Sequence, residues 1–328
     1  MTYTKDTLKD TFKSLKLKSV GQILVRFWLE YYIMAVFLVI VVISRIIFPR
    51  FLSQANVFNI LRQSSVLGIV ALGMLLVIMT AGIDLSVGSL VALTGVLAVG
   101  LQRNMPLVFV LILSLAIGLF TGLVNGLLIT KRKMPPFITT MGMMAIARGL
   151  TYVYTHGGPI QINYPEYNFL GRGMLGPMPF IVIVWLIISI ILFIIITQTT
   201  FGRSIKAIGS NPTAAHLSGI NVSRHVIIVY MLSGLLCGIG GILLTSRITV
   251  GTPLIGVGME LEAIASVVIG GASLSGGRGT VFGTIIGVLI LGVISNMLNL
   301  VGVSMFYQDT VRGSIIILAV LFKIARKH

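Results

Sequence analysis

This chain carries little with which to do covalent chemistry. A single cysteine, Cys237, excludes an intrachain disulfide and a cysteine-held metal, and inside an apolar run it reads as a small packing residue. The four histidines, His156, His216, His225 and His328, fall in loops or at the ends of apolar runs. No H-x-x-x-H spacing or acidic cluster gathers them, so neither a catalytic centre, a metal site nor a cofactor is expected. The glycine-rich run from Gly271 to Gly279 lacks the Lys-Ser/Thr ending that holds phosphate and Mg²⁺, so it is not a phosphate loop. No loop has room for a second domain, since the longest polar stretches are the N-terminus, 155 to 177 and 198 to 224, and independent domains begin at about 50 residues. The first 26 residues lack the apolar core and cleavage site of a secretory signal, and nothing is expected to be removed from them.

Charge is scarce as well. Only 10% of residues are charged while 56% are apolar, where a soluble domain has roughly a quarter charged. The chain therefore reads as an all-α, polytopic membrane protein. Met178 to Ile196 holds one ordinary polar side chain, Ser189, and is long enough to cross a hydrocarbon layer of about 30 Å as a helix. Spans are expected near 27–48, 64–80, 86–101, 107–130, 136–154, 178–197, 225–246, 262–271, 280–302 and 310–323, about ten in all. Residues 1–26 then form a cytoplasmic N-terminal segment, 27–323 one transmembrane domain and 324–328 a cytoplasmic tail.

Orientation follows from Lys and Arg, which collect on the cytoplasmic side. Four basic clusters lie before the first span, at Lys131 to Lys133, at Arg203, Lys206 and Arg224, and at the C-terminus. Ten spans put all four inside, both termini included, and put 156–176 outside. Arg45 and Arg50 fall on the other side, where Arg45 can snorkel. The net charge of +16 is thus a topological signal, and nucleic acid is not an expected partner.

Two glycine-containing breaks interrupt the apolar pattern. Asp84 stands in Ala81-Gly-Ile-Asp-Leu-Ser-Val-Gly-Ser89, with apolar spans on both sides. A charge at membrane depth costs about 2.5 to 3.5 kcal/mol on insertion scales and usually faces a cavity or a partner. Asp84 and Ser86 therefore read either as a broken helix on a translocation path or as the cap of the span that follows. Residues 270–277, with Ser273 and Ser275, share Gly, Leu, Ser and Gly with 81–88 and fall on the same side, which suggests an internal repeat of the kind found in transporters. Within spans, Asn125, Asn296 and Asn299 need hydrogen-bond partners and read either as path-lining groups or as ties between helices. Glycines at four-residue spacing, Gly118, Gly122 and Gly126, and the pair Gly283 and Gly287, suit close helix packing in lipid.

The segment 201–220, FGRSIKAIGSNPTAAHLSGI, is a polar, helix-forming insert between two apolar spans. Asn211 supplies an N-cap and Pro212 the first helical position, which sets a helix through Thr213, Ala214, Ala215, His216, Leu217 and Ser218 that Gly219 stops. Ala-Ala, three residues and then Gly resembles the coupling loop of bacterial ATP-binding-cassette (ABC) importer permeases. Taken with Pro136-Phe-Ile-Thr-Thr-Met-Gly142, Leu261 to Gly277 and Asn296-Met-Leu-Asn-Leu-Val-Gly302, the chain resembles permease subunits of ribose-type monosaccharide ABC importers from about Asn56 to Leu321. Thr213 stands where those permeases often carry Glu, and Ala81 where Gly is common. The resemblance implies a homodimer, an ATPase partner with two fused nucleotide-binding domains and an extracytoplasmic sugar-binding protein, in a bacterial cytoplasmic membrane. It also implies that Asn211, Pro212, Thr213, Ala214, Ala215 and Gly219 seat against the ATPase. Two other classes stay open: an ion-gradient-driven transporter using Asp84, and a membrane-embedded lipid enzyme, for which no catalytic cluster is present.

Overall fold

The computed structural model describes residues 33–304 together with 307, 308, 310, 311, 313, 314 and 317. The segments expected at 1–26 and 324–328 lie outside the described residues, as does most of the expected span 310–323. Helix follows helix along the chain: α1 (Ile33–Ile47), α2 (Gln54–Met79), α3 (Val87–Gly100), α4 (Leu107–Lys131), α5 (Pro136–Thr155), α6 (Tyr167–Arg172), α7 (Phe180–Gln198), α8 (Thr200–Ser210), α9 (Pro212–Leu217), α10 (Val222–Ile248), α11 (Met259–Ile269) and α12 (Val281–Val301). Five of these, α2, α4, α7, α10 and α12, are long and apolar enough to cross a membrane, and α1 and α3 are shorter apolar helices. Among the described residues, strand is confined to two ladders of two residues per side: β1 (Ile160–Gln161) with β4 (Val250–Gly251), and β2 (Met174–Leu175) with β3 (Met178–Pro179).

Helix α2 is the central post, with every residue from Ser64 to Met79 buried. It starts ten residues before the expected span, because Ser53 caps it by accepting a hydrogen bond from the Asn56 amide and so carries the helix through a polar first turn. Its large side chains, among them Ile69, Leu72, Met74 and Leu75, fill the core, whereas two of its neighbours close on glycine. A Cβ at Gly118 would stand 2.4 Å from the Gly234 carbonyl oxygen, and one at Gly234 would stand 2.1 Å from that of Gly118, so α4 and α10 touch backbone to backbone. The outward faces of α4, α5 and α7 show Phe109, Phe120, Phe137, Leu150, Ile187 and Phe193. In water such a surface would be untenable, and against lipid it costs nothing.

Two segments of irregular backbone run inside the bundle. Past α2, the Ala81 amide donates to Ile78 O and the Gly82 amide to Val77 O, with Ala81 at φ 60°, a Schellman stop. The chain then climbs back alongside α2, since Asp84 bonds Ser233 and Ser233 packs on Gly73, six residues or about 9 Å above the α2 terminus. Only there does α3 begin. The second segment, 249–258, leaves the end of α10 and descends along α3. Its Gly251 lies against Val96 and Val99, and its Gly256 against Gly88, a drop of about 16 Å. Helix α11 starts at that depth. Non-helical backbone at such depth persists only where protein covers it, which is the arrangement seen for the buried residues Gly82, Asp84 and Gly251.

The second break repeats the stop of the first, with Gly271 donating to Val268 O and Ala272 to Val267 O. Geometry therefore superposes Ala81 on Gly271, one residue away from the register read from the shared Gly, Leu, Ser and Gly. The order of lengths is also exchanged, from a long helix before a short one (α2, α3) to a short before a long (α11, α12).

Candidate functional site

The two breaks meet α8 at one end of the bundle. The amide of Gly277 donates to Met79 O at 3.0 Å, joining the stop of α2 to the turn between α11 and α12. On this junction sits Gly209 of α8, where a Cβ would lie 1.9 Å from Met79 O and 2.4 Å from the Gly277 nitrogen. Only glycine allows that approach. Helix α8 is amphipathic, burying Gly202, Ile205, Ile208 and Gly209 while Arg203 faces outward, so one side grips the breaks and the other is free.

A sharp turn at Asn211 then delivers α9. Asn211 Oδ1 accepts from the Ala214 amide at 2.9 Å, Pro212 opens the helix, and Ser218 ends it one residue before Gly219, at φ 82°. Of α9 only Ala215 is buried, while Asn211, Pro212, Thr213, Ala214 and Gly219 are exposed and Leu217 is 82% exposed. A polar helix with an unpartnered leucine, backed by a helix wedged on two broken spans, can pass a push from outside into both breaks.

Deeper in, the structure brings Asp84, Ser86 and Asn125 together with a residue that sequence reasoning missed, Ser233. Asp84 is wholly buried. Its Oδ1 accepts from the Ser86 amide at 3.0 Å and from Ser86 Oγ at 2.5 Å, and its Oδ2 accepts from Ser233 Oγ at 3.1 Å. Asn125 Nδ2 donates to Ser86 Oγ at 3.2 Å. Above them Ile83 O accepts from Tyr230 Oη and Thr140 Oγ1, each at 3.3 Å. Helix α3 takes Ser86, not Asp84, as its N-cap residue, so Asp84 orders the turn before the helix. Ser233 was concealed because one hydroxyl in an apolar span is unremarkable until its neighbour across the bundle is known.

The remaining polar positions lie apart. Ser273 accepts from the Gly276 amide in the second break, and Ser275 there is exposed. Asn296 and Asn56 exchange amide hydrogen bonds of 3.0 and 2.9 Å between α12 and α2. Asn299 Oδ1 accepts from Gln308 Nε2 at 2.9 Å.

The end of the bundle opposite α8 carries a basic pocket of about 670 Å³ lined by Asn59, Arg62, Gln63, Arg172 and Arg247. Arg172 donates to Arg247 O at 2.8 Å and Arg247 to Arg62 O at 3.2 Å, so backbone carbonyls hold two of the arginines in a row with the third, whose own guanidinium reaches Met174 Sδ. Beside it, between α2, α10, α11 and α12, lies a smaller pocket of about 160 Å³ with Gln63, Ser64, Arg247, Glu262 and Ser295 on its walls. The row is invisible in the sequence because Arg62, Arg172 and Arg247 lie far apart along the chain and meet only in the fold.

Comparison with known proteins gives this geometry a context. Residues 56–320 match the family model described as the branched-chain amino acid transport system / permease component. The ribose import permease protein RbsC of Bacillus subtilis (strain 168) is 46% identical over 286 residues, covering 86% of this chain and 89% of that protein. Its namesake in Escherichia coli (strain K12) is 45% identical over 87% of this chain and 90% of its own length. The D-allose transport system permease protein AlsC of the same strain is 38% identical over 90% and 91%. No solved structure matches the chain. With nearly the whole chain aligned, it belongs to the family of ABC-transporter permease components, multi-pass proteins of the inner membrane that carry substrate while a separate subunit hydrolyses ATP.

Proposed function

We propose that this chain is the permease subunit of a monosaccharide importer, with ribose or a similar pentose or hexose as cargo, and that α8 and α9 are the point at which the ATPase drives it. The observation that carries the reading is the seat of Gly209 on Met79 and Gly277, with Leu217 left uncovered beyond it. Closure of the ATPase displaces α9. Helix α8 passes that displacement to the ends of α2 and α11, and the short helices α3 and α11 shift against their long neighbours to change which side is open. Asn211, Pro212, Thr213, Ala214, Ala215 and Gly219 present the docking surface, and Asp84, Ser86, Asn125, Ser273, Ser275, Asn296 and Asn299 belong to the broken or tied regions that move. The names of the relatives, ribose and D-allose permeases, support the sugar.

The assembly we infer contains two copies of this chain, an ATPase with two fused nucleotide-binding domains on the α9 side and a sugar-binding protein on the other. The row of Arg62, Arg172 and Arg247 suits carboxylates on the docking face of that binding protein. Replacing Gly219 would confound two effects, since its positive φ strains any other residue. Leu217→Glu is the cleaner probe. It is expected to lose ATPase co-purification and sugar uptake by tenfold or more while the protein still inserts. Uptake at the wild-type level would overturn the docking role.

A further inference from the structure

We propose that the cluster of Asp84, Ser86, Asn125 and Ser233 takes up one positive charge from solution, a proton or an alkali cation, as the chain folds. A carboxyl with no exposed surface sits among four helices, and every group that touches it is neutral. Ser86 and Ser233 donate to it, and the titratable groups that face it from α10, Tyr230 and Cys237, are acids that bring no positive charge. Thr140 from α5 and Asn125 from α4 complete the surroundings. No lysine, arginine or histidine interacts with Asp84 among the described residues. The N-terminus of α3 contributes only about half a unit of charge.

A second observation points the same way. Asn125 is wholly buried, its Nδ2 is committed to Ser86, and its Oδ1 has no donor. Exchanging the amide oxygen and nitrogen merely moves the deficit. An acceptor without a donor thus lies one hydroxyl away from a buried carboxyl that no basic side chain among the described residues faces. Buried isolated charge is costly enough that such a group is neutralised or paired, and carboxylate, amide and hydroxyl oxygens are hard donors, suited to an alkali ion as well as to a proton.

The full chain is melted in detergent across a pH series and, at constant ionic strength, with Na⁺ exchanged for choline. If the folded state binds a charge that the unfolded state releases, stability falls as that charge is withdrawn. For a proton, the apparent Tm of the wild type drops as pH rises above the ordinary carboxylate range, and Asp84→Asn lacks that component. For an alkali ion, the Tm drops in choline by a few degrees per tenfold dilution of Na⁺, and both Asp84→Asn and Asn125→Leu lose the response. Identical pH and Na⁺ dependence in wild type and Asp84→Asn would overturn the proposal. If Asp84→Asn does not fold, the wild type alone decides. A protonated-carboxyl infrared band that persists well above neutral pH, or a Na⁺-specific rise in Tm, upholds the proposal, and the lack of both refutes it.

Discussion

Single polar side chains hold this bundle together at a few points, and the Asn56–Asn296 pair is the one whose energetics are simplest. Each amide gives and takes one hydrogen bond across α2 and α12. Truncating one partner leaves the other, Asn296 buried or Asn56 half-buried and still bonded to Phe51 O, short of a partner, which costs up to about 1 to 3 kcal/mol, whereas replacing both by apolar groups of similar shape is nearly neutral. Asn296→Leu is therefore expected to lower the melting temperature in detergent, and the double variant Asn56→Leu with Asn296→Leu to recover most of the loss. Equal additive losses from the two changes would show that the pair is not coupled. A glycine carries more weight than either amide. At Gly209 a methyl group meets two backbone atoms, one at the end of α2 and one in the turn between α11 and α12, that cannot rotate away, so Gly209→Ala is expected to keep insertion and reduce uptake at least tenfold, read by transport into vesicles.

At the scale of elements, the sequence announced the breaks better than it announced what lies in them. Asp84 beside Gly82 and the glycine pair at 270–271 are polar or flexible residues where an apolar span should continue, and such residues are visible without a structure. The ends of α2, set by Ser53 and by the stop at Ala81, were legible only at the second, because a serine before a polar first turn resembles any loop serine. The descent of 249–258 was not legible at all. Its Leu254, Ile255 and Val257 are apolar, its Thr252 and Pro253 are ordinary turn residues, and what fixes it is remote: Arg148 of α5 donates from Nη1 to the carbonyls of Pro253 and Ile255, the latter at 2.8 Å. An arginine that binds two backbone carbonyls works by geometry, which no local pattern encodes. Arg148→Met keeps the stem and removes the donors. Amide hydrogen exchange at 252–258 is expected to rise tenfold or more in that variant, with α2 unchanged. An unaltered rate would mean that packing of Gly251 and Gly256 on α3 holds the segment without the arginine.

Across the whole molecule, the two ends have opposite designs suited to two different partners. One end offers a short helix with an exposed leucine on a wedge of close backbone contacts, a surface for a mechanical push. The other offers Arg62, Arg172 and Arg247 in a row around a pocket, a surface for an acidic partner, where charge sets encounter rate and specificity more than raw affinity. If both ends work as proposed, they fail separately. Arg172→Glu leaves α8 and α9 untouched, so the ATPase should co-purify as with the wild type. Sugar uptake should fall when the binding protein is dilute and recover as it is raised, and the wild type should lose the same advantage in high salt, where exposed charges are screened. Leu217→Glu should show the reverse, with no recovery at any concentration of binding protein. A variant at the arginine row that loses the ATPase, or that transports normally with dilute binding protein, would disconnect the basic pocket from the capture of cargo and leave the push at α9 as the only partner contact that the fold explains.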